Sequence, residues 1–73
     1  MTTKKFKEFT MKVERNWFTS KTYIQLDDGE RVYRGILKVG EEKEVINNMI
    51  WTIGNDATYE EAKEYFVNHP EKL

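Results

Sequence analysis

Tyr23-Ile24-Gln25-Leu26-Asp27-Asp28-Gly29-Glu30-Arg31-Val32-Tyr33-Arg34-Gly35-Ile36-Leu37 is the stretch whose reading decides the fold. Two runs of strand-forming residues flank Asp28-Gly29. Asp-Gly is a strong hairpin signal because a type I′ turn needs positive φ at both central residues. A turn centred there sets Asp27 opposite Glu30. Counting outward, it pairs Leu26 with Arg31, Ile24 with Tyr33 and Thr22 with Gly35. The other face pairs Gln25 with Val32, Tyr23 with Arg34 and Lys21 with Ile36. One face is therefore mainly apolar, and the other is mixed, basic and aromatic.

Upstream, Phe9, Met11 and Val13 alternate with Thr10, Lys12 and Glu14, a strand pattern. Phe6, Phe9, Val13 and Trp17 also fall at helical spacings. The lysines at positions 4, 5 and 7 would oppose the positive end of a helix dipole, and Thr10 and Val13 favour a strand. Strand is the reading adopted. Arg15 to Ser20 is a connection, and Trp17-Phe18 within it is expected to fold back over the core.

Downstream, Gly40-Glu41-Glu42-Lys43 reads as a turn and Val45 to Ile53 as the longest strand. Its faces are Val45, Asn47, Met49, Trp51 and Ile53 on one side, and Ile46, Asn48, Ile50 and Thr52 on the other. Gly54-Asn55-Asp56 ends it. Thr58-Tyr59-Glu60-Glu61 is a capping box that opens a helix. Tyr59, Ala62, Tyr65, Phe66 and His69 form its apolar face. Pro70 disfavours helical geometry at His69, so the helix should stop near Asn68.

The fold class that follows is α+β: a small, mostly antiparallel β-meander of about four strands, packed by one C-terminal α-helix. Its inward face holds Phe9, Met11, Val13, Ile24, Leu26, Tyr33, Leu37, Met49, Trp51 and Ile53, covered by Tyr59, Ala62 and Phe66. If residues 4–17 were helical, the order would become α-β-β-β-α, which resembles double-stranded-RNA-binding domains. The last helix of those domains is basic, whereas Glu60, Glu61 and Glu64 make this one acidic.

At 73 residues the chain reads as a single small domain, residues 1–73, near the lower limit for folding without disulfides or metal. It contains no cysteine, which excludes a disulfide framework and a Cys-ligated zinc and fits a reducing cytosol. No apolar run follows Met1-Thr2-Thr3-Lys4-Lys5, and nothing approaches the ~20 apolar residues of a membrane span. The expectation is a soluble, cytoplasmic protein without membrane contact. The net charge of −1 conceals an asymmetry. Residues 1–38 carry nine Lys or Arg against five Asp or Glu, and residues 39–73 carry three against eight.

Little here suggests catalysis. His69 is placed to meet the last helical carbonyls, and Ser20 lies outside any nucleophile motif. Asp27-Asp28-Gly29-Glu30 lacks the spacing of a calcium loop. The chain has no phosphate-binding or dinucleotide fingerprint. We expect neither an enzyme, nor a cofactor, nor a metal.

Binding is the better reading. The outer sheet face should present Tyr23, Val32, Arg34 and Ile36 with Lys21, and Ile46 and Ile50 beside them. Tyr23 opposite Arg34 would stack as a cation–π pair. Tyr23, Arg34, Val32, Ile36 and Trp17 are the candidate partner-binding residues, because Tyr, Trp and Arg dominate hot spots. The expected function is a small non-enzymatic protein-binding module, docking by an exposed sheet face or edge onto another protein or a second copy of itself. Its short, Cys-free, Trp- and Tyr-rich chain has the composition of regulators and inhibitors, including those of phages and mobile elements.

The alternative is a nucleic-acid-binding domain, with Lys5, Lys7, Lys12 and Lys21 on phosphates and aromatics on bases. Leu26-x-Asp28-Gly29, followed by Tyr33-Arg34-Gly35-x-Leu37, resembles the first signature of Sm-like RNA-binding barrels. That resemblance implies RNA contact, but it spans only the hairpin. The second signature, with its Asn-bearing loop and terminal strand, is missing. An isoelectric point near 5.8 also opposes this reading.

Overall fold

The computed structural model describes residues 1–38 and 40–68. Strands β1 (Thr2–Lys5), β2 (Thr10–Asn16), β3 (Lys21–Asp27) and β4 (Val32–Leu37) form an antiparallel meander in the order β1-β2-β3-β4. Helices α1 (Glu42–Ile53) and α2 (Tyr59–Asn68) follow. α1 lies against β1 and β2, and α2 against β3 and β4, so both cover one face of the sheet.

Residues 4–17 hold the end of β1, the β1–β2 turn and all of β2, and none of them is helical. The helical spacing of Phe6 and Phe9 arises because both lie in the β1–β2 turn, where the Phe6 amide donates to the Phe9 carbonyl at 2.8 Å. Their rings stack 4.6 Å apart and are buried. Met11 and Val13 alternate inward from β2, as Ile24 and Leu26 do from β3.

The central hairpin forms with its register shifted. Gly29 has positive φ and Asp28 does not, so the turn centres on Gly29–Glu30 instead of Asp28–Gly29. The Asp28 carboxylate explains this, accepting from the amides of Glu30 (2.9 Å) and Arg31 (2.6 Å) while Asp27 accepts from Gly29. Those bonds hold the Asp28 carboxyl below its ordinary pKa, the Arg31 amide contributing most. The observed pairs are Asp27 with Val32, Leu26 with Tyr33, Ile24 with Gly35 and Thr22 with Leu37. The shift is two residues, and because side chains alternate with period two, every residue keeps its face.

Residues 45–53 are corrected from strand to helix. As a strand they would leave Ile46 and Ile50 on the face away from the core. As a helix, Val45, Ile46, Met49, Ile50 and Ile53 gather on one stripe, the first three buried and the last two packed against the core. Glu42 and Glu44 sit at the favourable end of the dipole. Trp51, expected inside, is 91% exposed.

The capping box forms as expected, with Glu61 N–H to Thr58 Oγ1 at 3.2 Å and Thr58 N–H to Glu61 Oε1 at 3.0 Å. Tyr59, Ala62, Tyr65 and Phe66 are buried, and burial raises the pKa of both tyrosines. The expectations for His69 and Pro70 lie outside the described residues. Gly40, Glu41 and Glu42 lie along one end of the sheet. There buried Thr22 donates to the Gly40 carbonyl, Arg15 pairs with Glu41 at 3.1 Å, and Thr2 donates to Glu42. At the other end, Arg31 bridges Asp28 and Glu60 and lies 4.4 Å from the Tyr59 ring centre.

Candidate protein-binding surface

The face of the sheet turned away from the helices is assembled by register alone. Lys5 pairs with Thr10, and Thr3 with Lys12. Lys12 and Glu14 pair with Gln25 and Tyr23, which in turn face Arg34 and Ile36, while Asp27 faces Val32. Tyr23, Arg34, Val32 and Ile36 therefore share this face, as expected, together with Lys5, Lys12 and Lys21. Lys7 stands apart in the exposed β1–β2 turn.

Several details differ from expectation. Ile46 and Ile50 belong to α1 and leave this face. Tyr23 lies opposite Ile36 rather than Arg34, and the Arg34 Nε donates instead to Gln25 Oε1 at 3.2 Å. The cation–π contact expected for this pair is made elsewhere, with the Arg15 guanidinium 4.5 Å from the Trp17 ring centre. The lysines do not form an uninterrupted basic track, because Glu14 and Asp27 alternate with them.

The largest correction concerns Trp17-Phe18. Neither folds over the core: Trp17 is 75% exposed and Phe18 fully exposed, at the tip of the β2–β3 hairpin. The loop holds only four residues between paired Asn16 and Lys21, too few to reach back. Asn16 Oδ1 accepts from the amides of Phe18 (2.9 Å) and Thr19 (3.3 Å), and Ser20 takes φ +57°. Turn chemistry thus fixes two aromatics outward. The signal was present in Asn16 and Ser20, both turn formers, and was outweighed by the apolar pair between them.

Two open grooves connect the tip to β4. One is walled by Glu14, Arg15, Asn16, Trp17, Phe18 and Tyr23. The other, of about 330 Å³, runs past Lys12, Glu14, Tyr23, Gln25, Arg34 and Ile36. They share Glu14 and Tyr23, so the surface is continuous from Phe18 to Arg34. Val32 and Ile36 are 51% and 54% exposed.

The charge asymmetry of the sequence is an asymmetry of layers. Residues 1–38 build the sheet and its turns, and the helical layer of residues 40–68 carries seven Asp or Glu against two Lys. Among the described residues no cluster of three or more His, Cys, Asp or Glu is placed to hold a metal ion, and no helix is long and apolar enough to cross a membrane. Comparison of the chain with protein-family models, with curated proteins and with solved structures finds no match.

Proposed function

We propose that this chain is a non-enzymatic protein-binding module of the regulator or inhibitor type, docking through the outer sheet face and the β2–β3 tip. The observation that carries the reading is the continuity of that surface, with Trp17 and Phe18 held outward at one end and Tyr23, Ile36 and Arg34 along it. Exposed aromatics on a short, internally bonded turn lose little conformational freedom when a partner covers them. Burying each would contribute about 2–3 kcal/mol, the size of a binding hot spot. Contiguous apolar groups rimmed by Lys12, Glu14, Lys21 and Arg34 match an interface with a polar border.

The test is a tagged pull-down from cell lysate, with and without nuclease, repeated for Trp17→Ala with Phe18→Ala. A protein retained after nuclease and lost from the double variant supports the reading. Retention equal in both chains sinks it.

Nucleic-acid binding remains the second reading, favoured by the placement of Lys5, Lys12 and Lys21 on one face. It requires affinity for a single-stranded oligonucleotide that falls steeply with salt. Glu14 and Asp27 among those lysines weigh against it.

A further inference from the structure

Among the described residues the sheet has two edges, of which β1 is defended and β4 is not. β1 has four residues, two of them Lys4 and Lys5, and short charged edges resist pairing with other chains. β4 has six residues, no proline and a single charge, Arg34.

The direction of its backbone groups follows from one hydrogen bond. The Asp28 amide donates to the Arg31 carbonyl at 3.2 Å. Bonded and non-bonded pairs alternate along an antiparallel ladder, so Leu26–Tyr33, Ile24–Gly35 and Thr22–Leu37 are the bonded pairs. The N–H and C=O groups of Val32, Arg34 and Ile36 therefore point away from β3, along the open edge. Their side chains all stand on the outer face.

We propose that a second copy of this chain occupies that edge, with β4 pairing antiparallel to β4 of its partner about a two-fold axis through Arg34. The register is self-complementary. It sets Val32 opposite Ile36 of the second copy twice, and it carries exposed Glu30 alongside exposed Lys38 at both ends. Sliding the strands by two residues in either direction would set Val32 against Lys38 or against Arg34 instead. At the axis the two Arg34 residues meet, but each is drawn back over its own β3 by the bond from Nε to Gln25. A net charge of −1 leaves little general repulsion between copies. The product is a closed, isologous dimer with an eight-stranded sheet, in which the two undefended edges disappear. This inference shares Val32, Arg34 and Ile36 with the proposed docking surface, but it uses the backbone edge of β4 and does not need the aromatic tip.

Sedimentation equilibrium of the full chain from micromolar to millimolar concentration tests it. The mass should rise from 8.8 kDa toward twice that value. Amide exchange at Val32, Arg34 and Ile36 should slow with concentration, while Tyr33, Gly35 and Leu37 are protected throughout. Ile36→Lys should weaken the dimer by roughly tenfold, since two cross-strand apolar pairs are lost together. Glu30→Lys should also weaken it, and adding Lys38→Glu should restore it by returning opposite charges across the axis. Circular dichroism checks that each variant folds, and Val32→Lys replaces Ile36→Lys if that variant does not. A mass that stays at 8.8 kDa overturns the proposal. So does a dimer indifferent to these changes, or one abolished by Trp17→Ala with Phe18→Ala. Loss of a foreign partner with the dimer intact bears on the outer face alone.

Discussion

Gly54 closes α1 at φ +90° and ψ 168°, a region that residues with a Cβ rarely occupy. Its amide donates to the Ile50 carbonyl at 2.7 Å. A Cβ built there would meet nothing within 4 Å, so Gly54→Ala carries no packing penalty and its cost is torsional. Such a conformation costs about 1–3 kcal/mol in a residue with a side chain, and restricting the unfolded chain offsets about 0.4–1 kcal/mol. We predict a net loss of about 1–2 kcal/mol. For a chain of this length, with a total stability of about 4–11 kcal/mol, that lowers the melting midpoint by about 6–13 °C. Urea unfolding followed by circular dichroism measures the loss, with an unchanged m-value as the sign that the end states are the same. The chain is short enough for chemical synthesis, which allows D-alanine at position 54. D-alanine favours positive φ and should match or exceed the stability of the parent. Equal losses from both enantiomers would refute the torsional account. A neutral Gly54→Ala would mean that α1 does not end there.

Other expectations follow from the turns and caps. Thr58→Ala removes the acceptor for the Glu61 amide and should lower stability by about 1 kcal/mol, read from the same urea curves. Asp28 has a folded pKa below its unfolded value near 3.8, so its stabilisation is complete above that value and is lost as pH falls through the folded one. Between about pH 6 and pH 2, Asp28→Asn should therefore lose less stability than the parent chain. Trp17→Ala with Phe18→Ala, which lowers binding under the proposed function, should leave the unfolding free energy within about 0.5 kcal/mol of the parent, since neither ring is buried.

Strands β2, β3 and β4 were legible because their signals were redundant, whereas the short, polar β1 was not read as a strand and its place was given to residues 45–53. Alternation in β2, β3 and β4 gave the inward set independently of the turn, so a register wrong by two residues still placed Met11, Val13, Ile24, Leu26 and Leu37 correctly. The same parity carried Tyr23, Val32, Arg34 and Ile36 to the outer face. α1 was not legible by alternation, because a run of Val, Ile, Met and Trp satisfies periods of two and of four together. What separates them is global: the β1–β2 hairpin already supplies a fourth strand, and the core needs a second cover over Met11 and Val13. The exposed tip was hidden for the opposite reason. Burial is the usual fate of Trp and Phe, and only the brevity of a loop bonded to Asn16 prevents it here.

The layering of charge gives the molecule an electric polarity, with an axis running from helices to sheet. Such an axis exerts a torque on approaching charged partners, so an acidic surface is turned toward the sheet before contact. The reach of that torque is set by screening, about 10 Å at 0.1 M salt, close to the 11.0 Å radius of gyration. Orientation is therefore imposed only within the last molecular radius of approach. Under the proposed function, association with an acidic partner should slow as salt rises while dissociation, assigned there to Trp17, Phe18 and Tyr23, stays nearly constant. Recognition and retention would then reside in different parts of one surface, and each could change without the other.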